Sequence, residues 1–292
     1  MDNEGKRIGN LAERVGLTTH VLRVWEKRYG LLRPVRSVGG YRLYTEADEK
    51  RIRAVIALRE RGVPVSDAVN RVLASERLGE AESAAPGSPD MIVARLLLAT
   101  MTFDEPDAQA ALDQALALPL ATAIGEVLMP FLRAVGERWA DGTLGVAQEH
   151  FSSGLIRRRL AARTSSWGHG TGPLALLSCC PGEHHDIPLM AFGLLLGASG
   201  WRVSYLGQDT PANDIVRTAD LLKPDLIVLS ATRPGVVAAL DPALAALASR
   251  YTVAYGGAGI DPQRVAATGA HVLPDDVVEA AAVAVDLFRH GA

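Results

Sequence analysis

The chain is poor in cysteine: Cys179 and Cys180 are the only two in 292 residues. Sequence neighbours rarely form a disulfide, so no disulfide framework is expected, and both thiols read as small core residues in a reducing cytosol. There is no Cys-x-x-Cys and no His-x-x-x-His, which argues against a zinc cage built from side chains alone. No apolar run reaches 18 residues, and the opening residues MDNEGKR are polar. Neither a membrane span nor a signal peptide is expected, and the location implied is cytoplasmic. Net charge is also nearly missing, at -3. That small total hides an imbalance. Residues 1–78 carry 16 Lys and Arg against 10 Asp and Glu, a balance of +6, which leaves -9 for the remainder. A basic module on an acidic body predicts a polyanion partner for the first part alone.

The patterning predicts a multidomain chain. In IGNLAERV (8–15) the apolar positions fall at helical spacing, Gly16 stops that helix, and Thr18 or Thr19 can cap a second helix that runs to about Arg28. A Gly-rich, aromatic and basic hairpin, RSVGGYRLY, comes next, then helices near 46–61 and 65–75. These elements predict an α winged helix-turn-helix domain over 1–78. GEAESAAPGSP (79–89) reads as a linker. Four helical stretches over 90–168 suggest a four-helix bundle. From 169 to 292, PLALLSC, WRVSYLG, DLIVLSA and YTVAYGG alternate with helical segments. That predicts an α/β doubly wound (Rossmann or flavodoxin-like) parallel sheet of about five strands.

Helix, tight turn, helix and basic hairpin suit DNA, with the second helix placed for the major groove. Thr19, His20 and Arg23 share one face, Lys27 and Arg28 follow, and Val21, Leu22 and Trp25 face inward. Arg36, Tyr41 and Arg42 of the hairpin could reach phosphates or a neighbouring groove. RIGNLAERVGLT, LRVWEKRYGLL and GGYRLYTEAD, in that order, resemble the MerR family of transcription regulators over roughly residues 7–75. The resemblance implies binding to double-stranded operator DNA.

GEHHD (182–186) sits at the carboxyl end of the first strand of the sheet domain, where doubly wound folds bind ligands. From its residues alone it could supply a metal ligand, a general base or only a solvated loop. An imidazole on a metal usually donates its other ring N–H to a carboxylate, and Glu183 and Asp186 both stand close to His185. One protein imidazole on a metal already held by a macrocycle fits such a site.

EHHDIP resembles the D/E-x-H-x-x-G motif of cobalamin-binding domains. The resemblance makes His185 the lower axial cobalt ligand and Glu183 its partner, leaving His184 facing solvent. Pro188 stands where that motif has Gly. LSAT supplies Ser230, with Thr232 where Leu is usual, and YGGAG supplies Gly256 and Gly257; these would leave room for the nucleotide tail. In the bundle, WADGTLGVAQEH places Val146, Glu149 and His150 on one helical face. Its W-x9-E-H spacing resembles light-responsive MerR-type repressors of the CarH/LitR group. There the residues matching Trp139, Glu149 and His150 cover the corrin's upper face and enclose an adenosyl group. Well-known light-sensing members carry His directly after that Trp, whereas this chain has Ala140.

The resemblance implies a non-enzymatic, cobalamin-dependent and light-responsive transcriptional repressor, with adenosylcobalamin as cofactor and cobalt as its metal. It would form a homo-oligomer, dimer or tetramer according to ligand and light, with no membrane partner. Two alternatives stand beside it. One is a regulator that binds cobalamin or another tetrapyrrole without this photochemistry. The other is a corrinoid methyl carrier, which shares the bundle-plus-sheet unit but lacks the winged helix.

Overall fold

A computed structural model describes residues 5–36, 41–81, 87–233 and 242–291; the side chains of 36, 74–81 and 289–291 fall outside that description. By its internal contacts the chain divides into two compact units, Met1–Ala111 with Arg133–Phe151, and Leu112–Leu132 with Ser152–Ala292.

In the first unit, α1 (Ile8–Val15) ends on Gly16, whose φ of 69° is a left-handed conformation that glycine adopts without cost. The chain turns directly into α2 (Thr19–Tyr29), capped by the Thr18 hydroxyl, which accepts from the Val21 amide at 3.3 Å. β1 (Val35–Arg36) and β2 (Arg42–Leu43) pair antiparallel as a wing. α3 (Glu46–Glu60) opens with a Thr45/Asp48 capping box, and α4 (Val65–Ala81) follows. Leu11, Leu22, Trp25, Leu31, Ile52, Val55 and Val69 close a core beneath these helices. Val21 is half-buried at its edge. Glu49 is buried among Lys6, Arg14 and Arg53. The Arg14 hydrogen bonds, helped by Arg53 and Lys6, hold its carboxyl at about 2 despite burial.

The linker expected from residue 79 begins later, because α4 continues to Ala81. Gly79 costs helix only about 1 kcal/mol against Ala, and the Glu and Ala beside it favour helix. The part of the expected linker at 82–86 lies outside the described residues. α5 (Pro89–Thr102) starts on Ser88 as cap with Pro89 in the first turn. α6 (Glu105–Ala117) follows.

The helix expected as one piece from Leu120 has three parts: α7 (Leu120–Thr122), a π-helical stretch (Ala123–Leu128) and α8 (Met129–Ala140). Pro130 is the physical reason, since it has no N–H to donate and its ring crowds the carbonyl four residues back. The chain widens there, and the Met129 amide bonds to the Ile124 carbonyl, five residues back. α9 (Val146–Ala161) completes the helical region.

The sheet lies in the second unit. β3 (Leu174–Cys179), α10 (Ile187–Ala198), β4 (Arg202–Gly207), α11 (Ala212–Leu222) and β5 (Leu226–Ser230) come first. After the undescribed 234–241 come α12 (Pro242–Ala245), a 3₁₀ turn (Ala246–Ser249), β6 (Val253–Gly256), α13 (Pro262–Ala266), β7 (His271–Val272) and α14 (Val277–Gly291). All strands are parallel, in the order β4-β3-β5-β6-β7, which is the flavodoxin-like 2-1-3-4-5. The fifth strand, two residues long, carries too short an apolar run to be named from sequence. α11, α12 and α13 cover one face through Ile215, Leu244 and Val265. On the other, α14 packs against α10. The chain enters at β3, steps outward to β4, then crosses to β5 on β3's other side. The switch point therefore falls between the carboxyl ends of β3 and β5.

Candidate functional site: a DNA-reading face and an imidazole at the switch point

Thr19, His20, Arg23, Lys27, Arg28, Tyr41 and Arg42 are all exposed, while Leu22 and Trp25 on the opposite side of α2 are buried. The side chain of Arg36 lies outside the described residues. Two of these residues have partners that sequence does not suggest. Glu26, on α2, accepts the Tyr44 hydroxyl at 2.6 Å and lies 3.3 Å from Arg42 Nε, tying the wing to the recognition helix. The Arg7 guanidinium sits 4.8 Å from the centre of the Tyr41 ring. Arg42 is therefore held by Glu26, whereas Arg23 is on the open face of α2. Arg23→Ala should weaken binding across all sequences and lower the salt slope of log K by about 1. Filter-binding titrations at several salt concentrations check this, and unchanged affinity would remove Arg23 from the interface.

In the same unit α8 ends at Ala140, and Gly142 (φ 76°) donates its amide to the Trp139 carbonyl at 3.2 Å. Gln148 secures the turn, accepting from the Gly145 amide at 2.9 Å and donating to the Met101 carbonyl at 3.1 Å. Trp139 is 52% exposed and Val146 54%, so neither is a core residue. On the next turn of α9 the Glu149 carboxylate lies 3.6 Å from His150 Nε2.

The second unit holds Glu183 and the two adjacent histidines. Glu183 follows a turn through Gly182 (φ 79°), whose amide donates to Asp209 Oδ1 at 2.7 Å. Glu183 is fully buried yet receives five donors. They are the His185 amide (2.8 Å), His185 Nδ1 (2.7 Å), the Thr232 amide (2.6 Å) and hydroxyl (3.0 Å), and the Arg233 amide (3.1 Å). Burial alone would raise its pKa, but the hydrogen bonds from the His185 ring and amide and from the Thr232 and Arg233 amides hold the carboxyl well below the usual range. A carboxylate on Nδ1 keeps the proton there and leaves the lone pair on Nε2, the tautomer a metal requires. His184 is exposed beside it. The Cys179 and Cys180 thiols are buried and pushed up to about 12, chiefly by burial.

Several residues act otherwise than their sequence positions suggest. The Asp186 carboxylate is taken by Arg157 and Tyr205 rather than by the His185 ring. Thr232 anchors Glu183 as well as lining the space beside Ser230 and Gly256. Gly257 lines the same space, and its φ of 107° and the 2.4 Å that would separate a Cβ from the Ala231 carbonyl oxygen both require glycine there. At Gly256 a Cβ would only touch Leu273, at 3.7 Å, on the cavity side. That cavity holds about 60 Å³ between α10 and the ends of β5 and β6. Pro188, in the first turn of α10, lines it together with Phe192. A nucleotide tail fits there only if the wall gives way. Among the described residues no cluster of three His, Cys, Asp or Glu could hold a metal by itself. The donor set fits a metal brought in by its own macrocycle. Arg157, Tyr205 and Arg233 gave no signal in sequence, since their partners lie 19 to 50 residues away.

Together these features are a winged helix-turn-helix module followed by helices and a doubly wound domain with one oriented imidazole. Residues 6–75 match the MerR HTH family of regulatory proteins, and residues 92–164 and 173–285 each match a B12 binding domain. The chain is 39% identical over 232 residues to the HTH-type transcriptional repressor CarH of Myxococcus xanthus, covering 77% of this chain and 78% of that protein. It is 33% identical over 261 residues to the repressor CarA of the same organism, covering 87% and 86%. The monomethylamine corrinoid protein of Methanosarcina barkeri has a similar fold, with a TM-score of 0.57 at 22% identity over 68% of this chain and all of that one. The chain belongs to the MerR family of transcription regulators, in the cobalamin-binding group of the CarH and CarA type. Among the described residues no helix is long and apolar enough to cross a membrane.

Proposed function

We propose that the chain is a cytoplasmic, light-responsive repressor in which adenosylcobalamin controls assembly on operator DNA. The observation that carries this reading is His185, held by a five-donor carboxylate at the switch point of a chain with CarH-type domain order. His185 Nε2 would hold the cobalt of the cofactor, and Glu183 sets its tautomer. Ser230, Thr232, Gly256 and Gly257 would flank the nucleotide tail. Trp139, Val146, Glu149 and His150 form the surface that distinguishes an adenosyl group from a smaller upper ligand. Trp139 and Val146 are both exposed, so their side chains are open to a bound group. When bound, adenosylcobalamin supplies a cobalt–carbon bond that light breaks.

Residues 1–81 bind DNA, 82–89 connect, 90–168 cap the cofactor and 169–292 hold it. An assembly presenting several winged helices to tandem half-sites gains about 10²–10⁴ in affinity through linkage. Cofactor must favour the assembled state for that gain to be controlled. The test is an absorbance spectrum, a size-exclusion profile and an operator titration of the full chain with adenosylcobalamin, dark and then illuminated. Dark assembly that disperses in light, with a matching fall in DNA affinity, is the expected result. Cobalamin bound without any response to light would instead favour a ligand-level sensor. Ala140, at the place where light-sensing relatives carry His, favours that second reading.

A further inference from the structure

Asp186 occupies the cap position of α10, where an aspartate usually accepts from the first helical amides. Here its side chain makes no such bond. It turns away to Arg157 of α9, whose Nε (3.1 Å) and Nη2 (2.7 Å) both reach Oδ1, and to Tyr205 of β4, whose hydroxyl donates to Oδ2 at 3.0 Å. Asp186 is almost fully buried and Arg157 only partly exposed. Tyr205 packs in turn on Trp167, with ring centroids 5.5 Å apart. Trp167 is wedged against α10 so closely that a Cβ at Gly193 would come within 2.8 Å of its ring.

His185 is therefore gripped from both sides by unrelated elements. Glu183 is fastened to the end of β5 and Asp186 to α9 and β4. We propose that Arg157 is a positioning residue that, through Asp186, holds the His185 peptide in ligating position and ties that loop to helix α9. The significance of this tie rests on His185 being the cobalt ligand. The same helix begins with Val146, Glu149 and His150, and Glu149 precedes Arg157 by about 12 Å of helix rise.

Hydrogen exchange of the full-length protein, read by mass spectrometry, tests the tie. Without cofactor, Arg157→Met keeps the aliphatic stem and removes the charged donors. Amides 183–187 and those of α9 around 157 should exchange about tenfold to a hundredfold faster, because a buried carboxylate has lost its charged partner. β5 (226–230) should stay at the wild-type rate, and Arg157→Lys should restore part of the protection. Unchanged loop exchange, or acceleration spread equally over β5, overturns the proposal. If Arg157→Met does not fold, Asp186→Asn carries the same expectation with its shape preserved.

With hydroxocobalamin added, wild type should gain protection in both loop and α9, and Arg157→Met in the loop alone. Protection of α9 that survives in the variant would also overturn it. A wild type that binds no cobalamin would sink the cofactor reading, while the cofactor-free comparison still decides the role of Arg157.

Discussion

His185→Ala should bind cobalamin on the order of a hundredfold more weakly and lose the spectrum of an imidazole-ligated, base-off corrinoid, whereas His184→Ala should keep both. Outer-shell partners of a metal ligand typically account for tenfold to a hundredfold in affinity, and the ligand itself should account for at least as much. The two histidines are neighbours in sequence, but only the His185 ring donates to Glu183, at 2.7 Å. Stability should fall by about 1–3 kcal/mol, since the His185 ring, although 58% exposed, is a donor to the buried Glu183 carboxylate. Glu183 would keep its Thr232 and Arg233 donors. Titrations of both variants with adenosylcobalamin in the dark, followed by absorbance, make the comparison. A His184→Ala protein that loses imidazole ligation while His185→Ala retains it would reverse the assignment.

Trp139→Ala should still bind cobalamin through His185 but fail to convert adenosyl occupancy into assembly. Truncating a buried Trp costs about 3–5 kcal/mol, and such a loss would depress folding and cofactor binding together. Trp139 is half exposed at the end of α8, so the expected change in stability is small and the Tm should stay close to wild type. That separates a sensing defect from a folding defect. Size-exclusion runs with adenosylcobalamin, dark and illuminated, beside a melting curve of each protein, read both quantities. A variant that assembles in the dark and disperses in light like the wild type would rule out sensing by Trp139.

Much of the architecture is legible from local patterning, because its causes are local. Gly16 after an apolar helical face ends α1 by its own left-handed preference, and Ser88-Pro89 starts α5 by capping chemistry. Short apolar runs separated by helical stretches already imply a parallel sheet, and its first strand ends beside Glu-x-His. Pro130 is visible in sequence too, but its consequence, a π-helical stretch instead of a break, depends on helix on both sides of it holding their bonds.

Sequence by itself determined that a basic winged-helix module precedes a helical region and a doubly wound domain, and that one histidine near a strand end has a carboxylate two residues before it. Those features follow from side-chain period, turn chemistry and short spacing, which act within a few residues. Tertiary structure alone decided what holds that carboxylate and its neighbour. Thr232 and Arg233 reach Glu183 across 49 and 50 residues, and Arg157 reaches Asp186 across 29. It also decided that Asp186 serves Arg157 and Tyr205 instead of the imidazole, that Arg42 is tethered by Glu26, and that Trp139 stands in solvent. The physical reason is the same in each case. A buried charge must find partners wherever the packed elements bring donors together, and no local pattern in the chain records which distant donors those will be.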